Sequence, residues 1–231
     1  MSDLLPFGTA LLLGLVHSID VDHVVAVSVM VSGRPAWPIA LGYGVRWGLG
    51  HSIAVLAAGI AVLTFGFRID PRFDQWAEIL VGIMLIGLGV LALRTLGKLH
   101  LHGSPAHGDH AHLHTHPGGP THDHPHHPPN DRRHHPRRPL MVGLLHGLAG
   151  TSGALAIIPV TLMDDWRNGV AYLVIFCLGV TAGMVMFALG LAEAIRRAST
   201  RSIAWGRWIG RGIALTSVAT GGWWVVGGWG G

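Results

Sequence analysis

Charge is what this 231-residue chain has least of: Asp, Glu, Lys and Arg together make up 12%, about half the share of a soluble domain. The few charges are confined to short intervals, and the apolar runs between them approach or exceed the ~20 residues that cross a bilayer. A soluble globular protein is thereby excluded. Cysteine is nearly absent too. The single one, Cys177, lies inside an apolar stretch, which rules out a disulfide framework or a thiolate metal cage. A basic leader is also missing at Met1-Ser2-Asp3, so the first apolar run reads as a membrane helix rather than a cleaved signal.

Half of the residues are hydrophobic, mean hydropathy is +0.46, and glycine is abundant at 34. Glycine at that level suits membrane helices packing through small residues. The expected fold is an all-α integral membrane protein of six transmembrane helices, with spans near 4–32, 38–66, 76–97, 139–163, 168–192 and 203–228. Net charge is +4 with a pI near 10.2. Because the basic residues sit at span ends, they indicate topology and not nucleic-acid binding. The odd connections hold twelve of them (Arg34, Arg94, Lys98, Arg132, Arg133, Arg137, Arg138, Arg196, Arg197, Arg201, Arg207 and Arg211), and the even ones three (Arg68, Arg72 and Arg167). That bias places the odd loops in the cytoplasm of a multi-pass cell-membrane protein, and both termini outside.

The chain resembles itself at an offset of 129 residues. Gly14-Leu15-Val16-His17 returns as Gly143-Leu144-Leu145-His146, Tyr43 as Tyr172, Leu49-Gly50 as Leu178-Gly179, and Trp76 as Trp205. Three spans per half would make the copies a 3+3 inverted repeat, which puts a substrate site near the midplane between the halves. The expected domains are a first half at 1–97, a linker at 98–138 and a second half at 139–231.

That linker holds thirteen of the seventeen histidines. Its Pro-, Gly- and Asp-rich composition predicts disorder in the absence of metal. The alternating pattern through His110, His112, His114, His116, His122, His124, His126 and His127 offers many imidazoles to a divalent transition metal.

Ionisable groups in mid-membrane are costly and so mark function. The first span carries His17-Ser18-Ile19-Asp20-Val21-Asp22-His23 at its middle. On a regular helix His17 and His23 would stand ~9 Å apart along the axis. Holding one ion between them therefore predicts a kinked or unwound segment. His51, in Leu49-Gly50-His51-Ser52, reaches a similar depth from the opposite face. The candidate metal ligands are His17, Asp20, Asp22, His23 and His51, with Asp20 able instead to orient an imidazole. Gly50, Ser52, His146, Thr151 and Ser152 are candidates for the path or its support. Imidazole and carboxylate donors without thiolate or thioether fit Ni(II), Co(II) or Zn(II) and argue against Cu(I).

His17-x4-Asp22-His23 resembles the signature of the nickel/cobalt transporter superfamily, and Leu49-Gly50-His51-Ser52 resembles its second motif. The stretch from Gly143 to Gly153 is similar instead to the short, urease-accessory-type branch. The resemblance implies that His17, Asp22 and His23 bind and select the metal, with His51 in support. It also implies that Ni(II) or Co(II) is the transported substrate and not a catalytic cofactor. The expected partners are the lipid bilayer, the metal ion and a cytosolic nickel enzyme or metallochaperone, with no nucleic acid. Protons compete with metal for imidazole, so transport is expected to weaken below pH ~6. A zinc carrier, importing or exporting, and a non-transporting metal sensor are alternatives. A membrane di-iron oxidase needs about twice as many clustered histidines as the four outside the linker, so the chain is not expected to be an enzyme.

Overall fold

The computed structural model describes residues 5–33, 35–66, 71–97, 100–102, 112–114, 138–149, 159–161, 163, 165–201 and 203–229. The helices are α1 (Leu5–His17), α2 (Val21–Ser32), α3 (Trp37–Phe65), α4 (Pro71–Gly97), α5 (Arg138–Ala149), α6 (Trp166–Arg201) and α7 (Ile203–Trp229). Between α4 and α5 two three-residue strands, β1 (His100–His102) and β2 (His112–His114), pair antiparallel with His100 opposite His114 and His102 opposite His112. That ladder corrects the expectation of a wholly disordered linker. The other linker histidines named above, His110, His116, His122, His124, His126 and His127, lie outside the described residues, as do Thr151 and Ser152.

The chain is a multi-span membrane protein, but the expected count of six spans is not met. Among the described residues three helices are long and apolar enough to cross, Trp37–Phe65, Gln75–Arg94 and Trp166–Ser199. A fourth crossing is added if α1 and α2, bent by 58° at their junction, count as one broken span. The physical reason is length and composition. At 1.5 Å per residue, the 12-residue α5 reaches ~18 Å of a ~30 Å hydrocarbon core. Helix α7 is long, with 27 residues, but glycines and the arginines at 207 and 211 dilute its apolar content.

Local chemistry sets the helix ends. Pro38 sits in the first turn of α3, where its missing N–H costs nothing, and Gly66 closes that helix in the left-handed region at φ 63°, its N–H bonded to the Val62 carbonyl. Trp37, Trp76, Trp166, Trp208 and Trp223 are all exposed, as indoles at membrane interfaces are. Glu193 accepts from Arg196, Arg197 and the Trp37 indole N–H, joining the start of α3 to the end of α6.

The 129-residue offset reappears in the packing. Gly14 of α1 lies against the Phe176 carbonyl and Val180 of α6, and its counterpart Gly143 of α5 lies against the Trp47 carbonyl and His51 of α3. Gly50 abuts Leu140 and Leu144, and its counterpart Gly179 abuts Leu11 and Leu15. Thus α3 packs on α5 as α6 packs on α1, while α3 meets α6 and α4 meets α7. The main core lies where these helices cross, around Ala10, Val27, Trp47, Tyr172, Phe176 and Met184.

Candidate metal centre

The regular helix fails at Ser18–Asp20, within the segment where a kink is expected. Ser18 Oγ donates to the Leu15 carbonyl at 2.6 Å, the side-chain-to-backbone bond that competes with helix continuation. Asp20 then stands at the N-cap of α2 with no capping hydrogen bond from its side chain. Its carboxylate is turned instead to His17 Nδ1, 2.7 Å away. The break folds His17 back over the first turn of α2. Its ring centroid comes to 4.4 Å from that of His23, where a continuous helix would keep the two residues ~9 Å apart.

His51, from the middle of α3, completes a cluster with ring centroids 5.4 Å from His17 and 5.0 Å from His23. His146, near the end of α5, stands 4.4 Å from His23 on the other side. Two groups could each hold a metal ion: His17, His23 and His51, and Asp22, His23 and His146. In each, one ligand atom per residue lies within 4.8 Å of the others, and every member is buried.

Hydrogen bonding decides which atoms are offered. An ionised carboxylate can only accept, so the imidazoles beside it must donate. Asp22 Oδ1 accepts from the His23 backbone N–H at 2.9 Å and from His23 Nδ1 at 2.8 Å, and Oδ2 accepts from His146 Nε2 at 2.7 Å. Asp20 holds His17 through Nδ1 in the same way. The opposite nitrogens, His17 Nε2, His23 Nε2 and His146 Nδ1, are left as lone-pair donors. All three are buried without a hydrogen-bond partner among the described residues, and so are both nitrogens of His51. Buried polar groups are ordinarily satisfied. Neutral His51 offers one of its two nitrogens as a lone pair, so four imidazoles, one lone pair each, make a donor set suited to an electron-pair acceptor, with carboxylates orienting three of the rings as in carboxylate–histidine–metal triads.

The structure therefore brings together His17, Asp22, His23 and His51, and Asp20 joins through His17 while its side chain is 47% exposed. His146, expected to line the path or support the site, is bonded directly to Asp22. Gly50 lets α5 approach α3. Ser52 faces α6, within 3.2 Å of Thr181 Oγ1 and bonded to the Cys177 carbonyl, not the imidazoles. Sequence reasoning missed Trp47. Its ring stacks on His51 at 5.3 Å and 13° and packs edge-on against His23 and His146. Phe176, stacked on His17 at 5.7 Å, was missed as well. The signal was present in the offset, since 47 and 176 are 129 apart and both are aromatic.

Over 176 residues the chain is 32% identical to the urease accessory protein UreH of Bacillus sp. (strain TB-90), covering 76% of this chain and 71% of that one. The chain belongs to the UreH family. Membership agrees with the resemblance of its first-span motif and its Gly143–Gly153 stretch to the short branch of the nickel/cobalt transporter superfamily. No protein-family model matches the chain, and no solved structure does. For this UreH-family member the buried imidazole cluster indicates binding of a divalent metal ion.

Proposed function

We propose that this UreH-family protein carries Ni(II) or Co(II) across the cell membrane through the site built by His17, Asp22, His23 and His51. The observation carrying the reading is the set of buried, unpartnered imidazole nitrogens at the break between α1 and α2. Neutral imidazoles with nearby carboxylates give a nitrogen–oxygen donor set, which suits borderline divalent ions. Asp20 and Asp22 supply negative charge that offsets the ion's own, a requirement in a low-dielectric site. A helix interrupted at the site leaves its backbone in a lined cavity, where transporters tolerate it. Movement of the two halves against each other would expose the ion to alternate faces.

The His-rich linker, on the cytoplasmic side by charge bias, captures or buffers the ion through His110, His112, His114, His116, His122, His124, His126 and His127. A cytosolic nickel enzyme or metallochaperone is its partner there. The chain acts as a carrier, not as an enzyme.

The test is uptake of radiolabelled nickel by cells lacking their own importer, with intact protein against H17A and H23A at equal expression. Raised accumulation abolished by both substitutions supports import, and lowered accumulation restored by them supports export. No effect with nickel, cobalt or zinc would overturn the transport reading. A competition series among the three metals separates nickel and cobalt from zinc.

A further inference from the structure

One cavity touches the metal cluster from outside. It is an open crevice of about 690 Å³, lined by Asp20, Val21 and Asp22 at the start of α2 and by Ala219, Thr220, Trp223 and Trp224 of α7. We infer that this cavity is the vestibule through which the metal ion reaches the buried imidazoles, with Asp20 as the first protein group it meets. The inference deepens the metal reading above by assigning α7 to the access route.

The argument starts from Asp20. Its side chain is half exposed within the membrane-embedded part of the fold, whereas the ring of its partner His17 is buried. A carboxylate facing lipid there would be costly, so the crevice it lines is wet. Asp22, at the cavity's inner end, is only 3% exposed and belongs to one of the two metal-binding groups. Asp20 reaches His17 and Asp22 reaches His23 and His146. Each carboxylate on the cavity wall is thus one hydrogen bond from an imidazole of the cluster, so an ion in the vestibule is one short step from both groups.

The opposite wall suits a passage. Ala219 and Thr220 are small, and the Thr220 hydroxyl is a neutral oxygen able to replace a water of the ion's shell. Trp224 packs against the buried cluster that includes Val25, Ala77 and Leu85. Trp223, largely exposed, marks the mouth. Among the described lining residues no other side chain binds metal strongly, as an entry route that must release its ion requires.

Cys177 is the sole cysteine and is buried, so C177S gives a background for single new thiols. The full chain carrying C177S with A219C or T220C is purified, and a bulky methanethiosulfonate adduct is attached. Ni(II) association is followed by quenching of tryptophan fluorescence, since Trp47 stacks on His51. The same protein with H23A defines the signal from elsewhere, the linker included. The adduct is expected to slow association at least tenfold with little change in the amount bound at equilibrium. T220W should slow it without any thiol chemistry, and D20N should slow it more than it lowers the endpoint. An adduct at L215C, on an exposed face of α7 outside the cavity, should leave the rate unchanged. Unchanged rates with adducts at both 219 and 220 would overturn the vestibule while leaving the metal site standing. Normal binding and association without uptake into proteoliposomes would count against transport alone. Loss of the H23A-sensitive signal in the unmodified protein would overturn both.

Discussion

The two halves of the molecule share one packing scheme and differ in chemistry. Gly14 and Gly143 each bring a short helix onto the backbone of a long one, and Gly50 and Gly179 do the same from the other side. The side chains at the crossing points then diverge. At an offset of 129, Asp20, Asp22 and His23 correspond to Ala149, Thr151 and Ser152, and His51 corresponds to Val180. Only His17 keeps its imidazole, as His146. One copy therefore carries the donors, while the other contributes an aromatic, Phe176, and a single histidine that reaches across to Asp22. Small residues at helix crossings answer to geometry alone, so both copies need them. A metal site needs its ligands once.

The largest expected effect breaks the shared packing. A side chain at Gly143 would run into the Trp47 carbonyl, and one at Gly14 into the Phe176 carbonyl. Backbone cannot yield as a rotamer can, so G143V and G14V should each destabilise by ~3 kcal/mol or more, at the upper end of overpacking costs. Thermal unfolding in detergent checks this, and the two losses should be alike. A mild loss in one half alone would show that the packing equivalence is superficial.

Next comes the chemical asymmetry. H23A, or H51V, which makes position 51 match its counterpart Val180, should weaken nickel binding by more than ~100-fold, beyond the loss from removing a ligand's hydrogen-bond partner. V180H should create no second site, because Thr151 and Ser152 stand where counterparts of Asp22 and His23 would be needed to complete one. Equilibrium dialysis of protein lacking the linker histidines reads both. Nickel binding gained by V180H would mean that geometry alone makes a site here.

Much of this was legible in the sequence. The clustering of His17, Asp20, Asp22 and His23 at mid-span revealed the centre, because ionisable groups are too costly there without a purpose. The need to bring His17 and His23 together revealed the helix break. The offset paired the glycines, but that Gly50 and Gly143 are contacts between α3 and α5 was not readable from it. The number of crossings was not legible, because hydropathy does not register where a helix breaks: one apolar run carries both α1 and α2, bent by 58° at their junction. Trp47 was not legible as part of the centre either. An aromatic four residues before His51 looks like any core residue until the fold turns it over three imidazoles. His146 was expected only on the path or in support of the site because its own half lacks carboxylates, and its partner Asp22 is 124 positions away.

His146 sharpens the comparison at a smaller scale, since among the described residues it is the second half's one polar contribution to the centre. Two roles are open to it, as a metal ligand through Nδ1 or as a donor that holds Asp22 through Nε2. H146L leaves Asp22 Oδ2 buried and unpaired in either case, and should weaken nickel binding by ~10-fold or more. H146Q separates the roles, because an amide N–H can still donate to the carboxylate but is a poor ligand. Recovery of most of the affinity in H146Q makes His146 a positioning residue. Persistence of the full loss makes it a ligand.

The smallest effect lies where the two halves meet their own image. Ser52 and Thr181 are 129 apart, so the 3.2 Å contact between their hydroxyls joins equivalent positions of the two copies. Such bonds between membrane helices average ~0.6 kcal/mol, because the separated helices find other partners. S52A and T181V should each cost about that much in detergent unfolding, with nickel affinity unchanged, since neither side chain faces the imidazoles. Ser52 has a second acceptor in the Cys177 carbonyl at 3.3 Å, and Thr181 can turn to its own helix. The double variant should therefore fall short of full coupling, with an interaction energy below ~0.5 kcal/mol, near the limit at which neighbouring sites cease to be additive. A coupling well above that would mean the hydroxyls act as a pin between the halves. The halves could then move against each other only by breaking it, and S52A would change the rate of metal uptake without changing its affinity.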